Sequence, residues 1–484
     1  MRKKLVLYLW GRALLVFAAC LIVPFLMTIY TSENRLAEFG IPILISIALG
    51  KHLSRGDNPY NGRLSIREGI ALVGIGFFII CILGTLPFAI AGFPLIDSFF
   101  ESVSGFTTTG ASVLGDLSLV PPELLLWRSL SQWLGGIYIV LVFVTLVPQV
   151  GRDAMKLFTG ELHGESAERI LPRIVETIKA LCIFYVSFTG LIVIGLYLAG
   201  MNLFEACNYA MTIVSTGGFS IYNDGLARFN SMSINLVVLF CMFIAGGNYV
   251  LYFRAYQEGW RKLVRDSEYK GYLLLITVAS FLVVVALAWS GVYSWSDSVF
   301  HGIFQTVSII TTSGFAVGNY NSWPDFTKFC LFLLMFVGGC SGSTVGGIKV
   351  SRAVILLKST WEELKRTIHP HMVTKIDMSG VNVPLGLREA ISVFFFLYIV
   401  IFFVAAATLS LVDDLSIFCA AGISASCLAS VGSAFETVAS ISGYAVLNTP
   451  AKIIAIITMI LGRLEIFTVC VLFSPDFWDK KKIV

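Results

Sequence analysis

Four short segments of this chain end on small, mostly hydroxyl-bearing residues followed by a glycine: Phe106-Thr107-Thr108-Thr109-Gly110, Ile213-Val214-Ser215-Thr216-Gly217, Ile310-Thr311-Thr312-Ser313-Gly314 and Leu428-Ala429-Ser430-Val431-Gly432. Their glycines lie about a hundred residues apart, a spacing that marks one unit used repeatedly. Glycine admits backbone dihedrals that aim successive carbonyls the same way. Rings of backbone carbonyls replace the hydration shell of a cation in selective pores. One Ser/Thr-Gly pair is only a turn signal. Four copies, each between two apolar runs, point instead to four loops around one axis. Six residues before each glycine stand Ser104, Met211, Ser308 and Ser426; nine before stand Glu101, Asn208, Gln305 and Ile423. The stretch leading into each segment has helix length but is too short to cross a bilayer.

Such loops need a frame, because non-helical backbone survives inside a membrane only where protein or water meets its N–H and C=O groups. The 484 residues are 57% hydrophobic and 13% charged, with a mean hydropathy of +0.84; soluble domains carry about 25% charge. Apolar stretches near the ~20 residues that cross ~30 Å of hydrocarbon occur at 5–30, 36–53, 69–92, 123–149, 176–200, 232–256, 270–291, 326–357, 387–412 and 448–473. The first continues past any signal-peptide length without a small-residue cleavage site, so it reads as a retained span. The glycine-ended segments fall between the later spans, pair by pair. The pattern predicts an all-α polytopic membrane protein: four tandem span–pore-helix–span repeats around a pseudo-fourfold central pore, with two extra N-terminal spans. The divisions are 1–68 for those two spans, then 69–150, 151–258, 259–375 and 376–484 for the repeats.

Most of the 34 Lys and Arg collect on one side of this layout, which the positive-inside rule makes cytoplasmic, with both termini inside. Arg35, Arg128, Arg228, Lys328 and Lys452 fall outside. Topology thus accounts for the net charge of +4, and no nucleic-acid partner is indicated. Acids at the outer ends (Asp97, Asp116, Asp224, Asp297, Asp325, Asp413, Asp414 and Glu436) would raise the local cation concentration.

Two further features stand out. The run from Gly338 to Gly347, with Gly339, Gly342, Ser343 and Gly346, interrupts an apolar span and is followed by Lys349 and Arg352. Small residues of this kind break a helix or mark close helix packing. Arg463 stands alone in the last span, where insertion of an arginine costs ~2.5–3.5 kcal/mol; on a continuous helix Glu465, two positions on, faces away from it. The ten cysteines show no C-x-x-C spacing and read as free thiols. His369-Pro370-His371 is the one histidine cluster, and a surface pair is the simpler account. No nucleotide-binding loop or metalloprotease motif is present, so transport energy must come from ion gradients.

These residues resemble the TrkH type of potassium uptake protein, in the Trk/Ktr/HKT superfamily. The resemblance rests on the four segments, on Gly338-Gly339-Cys340-Ser341-Gly342-Ser343-Thr344-Val345-Gly346-Gly347-Ile348-Lys349, and on Gly462-Arg463-Leu464-Glu465-Ile466-Phe467-Thr468. It covers nearly the whole chain, and the two extra N-terminal spans favour TrkH over the shorter Ktr type. It implies a K⁺ filter built from the carbonyls of Thr108, Thr109 and Gly110; Ser215, Thr216 and Gly217; Thr312, Ser313 and Gly314; and Ser430, Val431 and Gly432. It also implies a gate formed by the 338–347 run as an intramembrane loop, together with Arg463. In the fourth strand Ser430 stands where the family commonly has Asn, and Ser433 where Pro is common. The resemblance further implies K⁺ as the transported ion with no organic cofactor, a homodimer in the lipid bilayer of the bacterial inner membrane, and a cytosolic ring of nucleotide-binding TrkA-type subunits docking on the basic inner loops. The alternatives are a sodium-dependent Ktr-type channel and a K⁺/H⁺ symporter, for which Glu465 is the best titratable candidate. A membrane enzyme would need acids or histidines clustered at one face, and the sequence offers none.

Overall fold

The computed structural model describes residues 1–31, 35–55, 65–146, 167–372, 375–436 and 443–478. Helices α1 (Lys3–Thr31) and α2 (Leu36–Leu53) pack along each other. Gly11 makes this approach possible: a Cβ there would lie under 3.0 Å from the Gly50 carbonyl. The pair covers one flank of the next group of helices through Phe17 and Phe39, whose rings meet Trp127 edge-on.

A pattern of long helix, short helix, coil and second helix then occurs four times. The first set is α3 (Ile66–Ile90), α4 (Leu95–Phe106) and α5 (Pro122–Leu146). The second is α6 (Ala167–Leu198), α7 (Leu203–Val214), α8 (Met232–Ala245) and α9 (Tyr249–Glu258). After a short helix α10 (Arg261–Arg265), the third is α11 (Ser267–Ser290), α12 (Trp295–Ile310), α13 (Asp325–Val337) and α14 (Val350–Ile368). The fourth is α15 (Leu385–Asp413), α16 (Ile417–Ala429), α17 (Thr449–Arg463) and α18 (Ile466–Phe473).

Helices α1, α2, α3, α6, α11 and α15 are long and apolar enough to cross a bilayer. Their outward faces carry exposed Leu26, Leu44, Leu198, Phe281 and Phe396, which suits lipid rather than water as the neighbour.

The closing helices correct the expected spans. Those at 232–256 and 448–473 are each two helices, bent by 88° and 108°. At the first bend Gly246 lies against the Thr311 side chain and the Tyr272 hydroxyl, and Asn248 caps α9 by accepting from Leu251 N–H. At the second, Glu465 takes φ 61°, outside helical space. The span expected at 326–357 stops at Val337 and resumes at Val350, as the glycine-serine run foretold. A pair of two-residue strands, Asp377–Met378 and Val381–Asn382, was not expected. The inner loop at 147–166, with Arg152 and Lys156, and Lys480–Lys482 lie outside the described residues.

The short helices have 12, 12, 16 and 13 residues; at 1.5 Å per residue they reach about 18–24 Å and cannot cross hydrocarbon. Three start on strong caps. Asn202 forms a capping box with Glu205, Ser294 accepts from Asp297 N–H, and Ser416 accepts from Cys419 N–H. Their C-terminal halves are almost wholly buried, and they deliver the four glycine-ended segments to the middle of the molecule.

Candidate functional site: four strand ends above a buried loop

Each short helix ends in the same way. Just past it, Thr108, Thr216, Thr312 and Ser430 take left-handed φ values of 51°, 53°, 49° and 57°. Each donates its N–H to the carbonyl three residues back (Gly105, Ile213, Ile309, Cys427), and the next residue donates to the carbonyl five back (Ser104, Thr212, Ser308, Ser426). This is the Schellman ending, which favours glycine at the left-handed position. A residue with a Cβ costs ~1–2 kcal/mol there. Two residues on, Gly110, Gly218, Gly314 and Gly432 all have positive φ.

The second strand is therefore shifted by one from its expected register. Its counterparts of Thr108, Thr109 and Gly110 are Thr216, Gly217 and Gly218. Ser215 caps the helix, with its hydroxyl bonded to the Met211 carbonyl at 2.8 Å, as Thr107 is bonded to Val103 at 2.7 Å. In this register the position six before the glycine is Ser104, Thr212, Ser308 and Ser426, a hydroxyl residue in every strand. Counting from Gly217 places Met211 there; counting from Gly218, the glycine with positive φ, places Thr212.

The strands meet in a closed cycle. A Cβ on Gly110 would lie under 3.0 Å from the Gly217 carbonyl oxygen, one on Gly218 from that of Ser313, one on Gly314 from that of Val431, and one on Gly432 from that of Thr109. Each contact joins a positive-φ glycine to the same carbonyl position of the next strand, and the fourth returns to the first. Four equivalent carbonyls thus stand side by side, and glycine is required at all four positions for both conformation and space.

Side chains on α5 hold the first two strands. Gln132 donates to the Gly217 carbonyl (2.8 Å) and accepts from Phe219 N–H (3.2 Å). One turn earlier, Arg128 pairs with Glu101 at 2.6 Å and donates to the Ser220 carbonyl (2.9 Å) and the Ser112 hydroxyl (3.0 Å). Arg128, which the charge pattern counts on the outer side, is buried: it is 2% exposed and Glu101 1%. Nothing in the spacing of Glu101 and Arg128 announces this pair, although an acid inside a short helix calls for a cation nearby. Tyr320 ties the fourth strand by donating to the Ala434 carbonyl (2.6 Å).

The loop between α13 and α14 lies directly against these strand ends. Gly338, Gly342, Gly347 and Lys349 have positive φ. Cys340 N–H bonds to the Gly246 carbonyl at 2.9 Å, and Ser341 N–H to Glu268 at 2.5 Å. Thr344 bonds to the Val214 carbonyl and the Thr216 hydroxyl, both at 3.1 Å; Gly346 N–H reaches the Thr312 hydroxyl at 3.1 Å. Gly339 packs on the Gly246 carbonyl and Gly346 on that of Ala429. Ser343 turns its hydroxyl onto the Cys340 carbonyl at 2.5 Å. Arg463, 5% exposed, donates to the Thr344 carbonyl at 2.8 Å, while its Nε and Nη2 have no hydrogen-bond partner among the described residues. The helix ends at Arg463, and Glu465 pairs with Arg352 at 2.7 Å.

The outer acids are less free than expected. Asp97 pairs with Lys452 at 2.7 Å, Asp325 with Lys328 at 2.8 Å, and Asp413 accepts from Asn448 N–H. Hydrogen bonds from Ser118 and Asn223 hold the exposed Asp116 carboxyl below its usual range. Among the described residues no group of three His, Cys, Asp or Glu could hold a metal ion, and all ten cysteines are free.

A sequence model of the TrkH family, described as cation transport protein, matches residues 42–480. The chain is 33% identical over 489 residues to the Trk system potassium uptake protein TrkH of Halomonas elongata, covering 99% of this chain and 100% of that one. It is 32% identical to TrkG of Escherichia coli (strain K12), covering 98% of each. The crystal structure of the potassium transporter TrkH from Vibrio parahaemolyticus superposes with a TM-score of 0.89 at 30% identity, covering 99% of this chain and 100% of that one. The chain is thus a multi-pass membrane transport protein rather than an enzyme, and it belongs to the TrkH family.

Proposed function

We propose that this chain takes up potassium ions across the bacterial cytoplasmic membrane through one pore per chain. The four strands supply the filter by their carbonyls: Thr108, Thr109 and Gly110; Thr216, Gly217 and Gly218; Thr312, Ser313 and Gly314; Ser430, Val431 and Gly432. The observation that carries this reading is the cycle of glycine-to-carbonyl contacts, because only strands arranged around a common axis close in that way. The units 69–150, 151–258, 259–375 and 376–484 are then four pore repeats, with 1–68 packed outside them. No organic cofactor enters the reading. The membrane potential supplies ~2.3 kcal/mol per charge per 100 mV.

The loop at 338–349 and Arg463 form the gate in this reading. Support comes from the contacts of Thr344 and Gly346 with the strand ends, and from a buried guanidinium with two donor atoms that have no partner among the described residues. Such a charge below a cation path raises a barrier to passage. A homodimer with cytoplasmic termini, and a TrkA-type nucleotide-binding ring docked on the inner loops, follow from the family resemblance. Symport through Glu465 loses support, since its carboxylate is engaged by Arg352.

The test is flux in proteoliposomes under K⁺, Rb⁺ and Na⁺ gradients without ATP, for wild type and Arg463→Ala. K⁺ and Rb⁺ flux well above Na⁺ in either protein supports the reading. Absence of cation flux in both, at normal reconstitution, overturns it.

A further inference from the structure

We propose that the groove between α3, α4 and α17 holds one acyl chain of a zwitterionic phospholipid, whose headgroup sits over Lys452 and Asp97. The site is independent of which ion the strands pass.

The chain itself links each helix set to the next. Where the fourth set meets the first there is no such link, and non-covalent contacts alone close the molecule. Lys452 on α17 pairs with Asp97 on α4 at 2.7 Å. Tyr444 N–H bonds to the Ser112 carbonyl at 2.9 Å, and the rings of Phe100 and Tyr444 lie 5.7 Å apart. On α18, the Leu472 side chain fills the space beside Gly74 of α3. Besides these ties, the two sets part around a groove of about 450 Å³. The same junction carries the contact of Gly432 with the Thr109 carbonyl that completes the cycle.

The wall of the groove is apolar. Phe78 and Ile82 of α3, Leu95 and Phe99 of α4, and Ile457 and Ile460 of α17 contribute to it. Thr85 brings the one hydroxyl of the lining, and donates it to the Cys81 carbonyl at 2.8 Å. A water needs two to four polar partners and finds none here. Left empty, the lining would forfeit dispersion contacts. Ile82, Leu95 and Ile457 are exposed along the rim, so the groove opens on the face turned to lipid. At about 30 Å³ for a water-sized group, which a methylene nearly is, it takes about fifteen of them. That is the size of one acyl chain.

Apolarity alone selects nothing in a membrane, because lipid tails are as apolar as leucine. Selection comes from shape and from the headgroup. Asp97 follows Ile96, and Lys452 precedes Ile453; both isoleucines lie in the wall, so the charged pair stands beside the groove. The Lys452 ammonium gives one hydrogen to Asp97 Oδ1 and carries two more, and a carboxylate has a second oxygen. A headgroup with a phosphate and an ammonium complements both residues: the phosphate meets Lys452 and the ammonium meets Asp97. A purely anionic headgroup satisfies the lysine alone. The seated chain fills the junction and holds α4 and α17 at the spacing that the contact of Gly432 with Thr109 requires.

Photolabelling of the full-length protein tests this, in nanodiscs of phosphatidylglycerol with a trace of phosphatidylethanolamine bearing a diazirine in its tail. Labelled peptides carrying Phe99 and Ile457 are compared with those carrying Phe281 and Phe396, which are exposed on α11 and α15 and report ordinary lipid contact. The expected labelling of the groove peptides is about five-fold higher, the size that two partly exposed ion-pair contacts supply. Ile457→Trp, which fills the groove, brings it down to the level of the Phe281 and Phe396 peptides. Lys452→Gln with Asp97→Asn, which keeps the groove and removes the charges, does the same. Equal labelling at all sites in the wild type overturns the proposal, as does enrichment that persists in either variant. Groove labelling below that of Phe281 and Phe396 also overturns it, and assigns the groove to a second copy of the chain.

Discussion

Two adjacent glycines in the second strand make opposite predictions. Gly218 has φ 73° and faces the Ser313 backbone carbonyl. An alanine there meets the left-handed penalty of ~1–2 kcal/mol and a backbone oxygen that cannot turn aside without distorting the third strand. Gly217 has no positive φ, and its added Cβ meets the Gln132 carboxamide. Displacing that group forfeits two hydrogen bonds, about 2–3 kcal/mol in all since each is buried. The two variants therefore separate when Gln132→Ala is added. Removing the obstructing group relieves Gly217→Ala, with a coupling of ~1–2 kcal/mol, and does nothing for Gly218→Ala. The assay is K⁺ against Na⁺ flux in proteoliposomes, read beside the thermal midpoint of each purified variant. Gly218→Ala is expected to lose K⁺ preference in either background. Gly217→Ala is expected to lose part of its stability, and the double variant to be no less stable than Gln132→Ala alone. If Gln132→Ala rescues Gly218→Ala, or if Gly217→Ala alone loses selectivity, the one-residue shift is wrong.

Breaking the buried Glu101–Arg128 pair from one side, as Arg128→Met, is expected to cost about 3–5 kcal/mol and lower the thermal midpoint sharply; Glu101→Gln with Arg128→Met recovers most of it, and a double variant no better than the single refutes a charge-based account. Arg463→Ala is expected to raise K⁺ flux in the absence of any partner, and unchanged flux at equal protein density places the barrier elsewhere. Glu465→Gln releases Arg352 from its 2.7 Å contact; this partly exposed pair is worth about 0.2–1 kcal/mol, so a small change in midpoint with no proton dependence of uptake is expected, and abolished pH dependence in a protein that has one would revive symport. Asp116 stays ionised well into acid because its folded pKa is held below the unfolded value. Its charge effect is thus present above the unfolded pKa and lost only as pH falls through the folded one; Asp116→Asn is expected to slow uptake at low ionic strength and not at high salt, as initial rates would show.

The frame was legible because apolar length is a strong signal. The four short helices and the loop, read as 338–347, were legible because glycine and hydroxyl residues interrupt that signal. The register of the second strand was not. Gly217 and Gly218 are indistinguishable as letters, and only the Schellman bonds and the sign of φ separate them. The bends at Gly246 and at Leu464–Glu465 were hidden because their flanks stay apolar on both sides, so a hydropathy window reads straight through. The burial of Arg128 was hidden for a similar reason. A rule that counts charges near span ends treats every arginine there as solvated, whereas this one finds its counter-ion 27 positions earlier on a helix that never crosses the membrane.

The cycle of contacts is drawn from a single polypeptide, and this changes how it can be altered. In a ring of four identical subunits every substitution is made four times. Here each is made once. Gly218 can be replaced while Gly110, Gly314 and Gly432 remain glycine, so each strand can be altered by itself. The strands are also free to diverge. Ser430 and Val431 stand where another strand has Thr108 and Thr109, and only the first two strands are gripped by Arg128 and Gln132. If the ring is the proposed filter, its selectivity becomes a graded property of four separately adjustable strands, open to tuning in small steps that a symmetric assembly does not have.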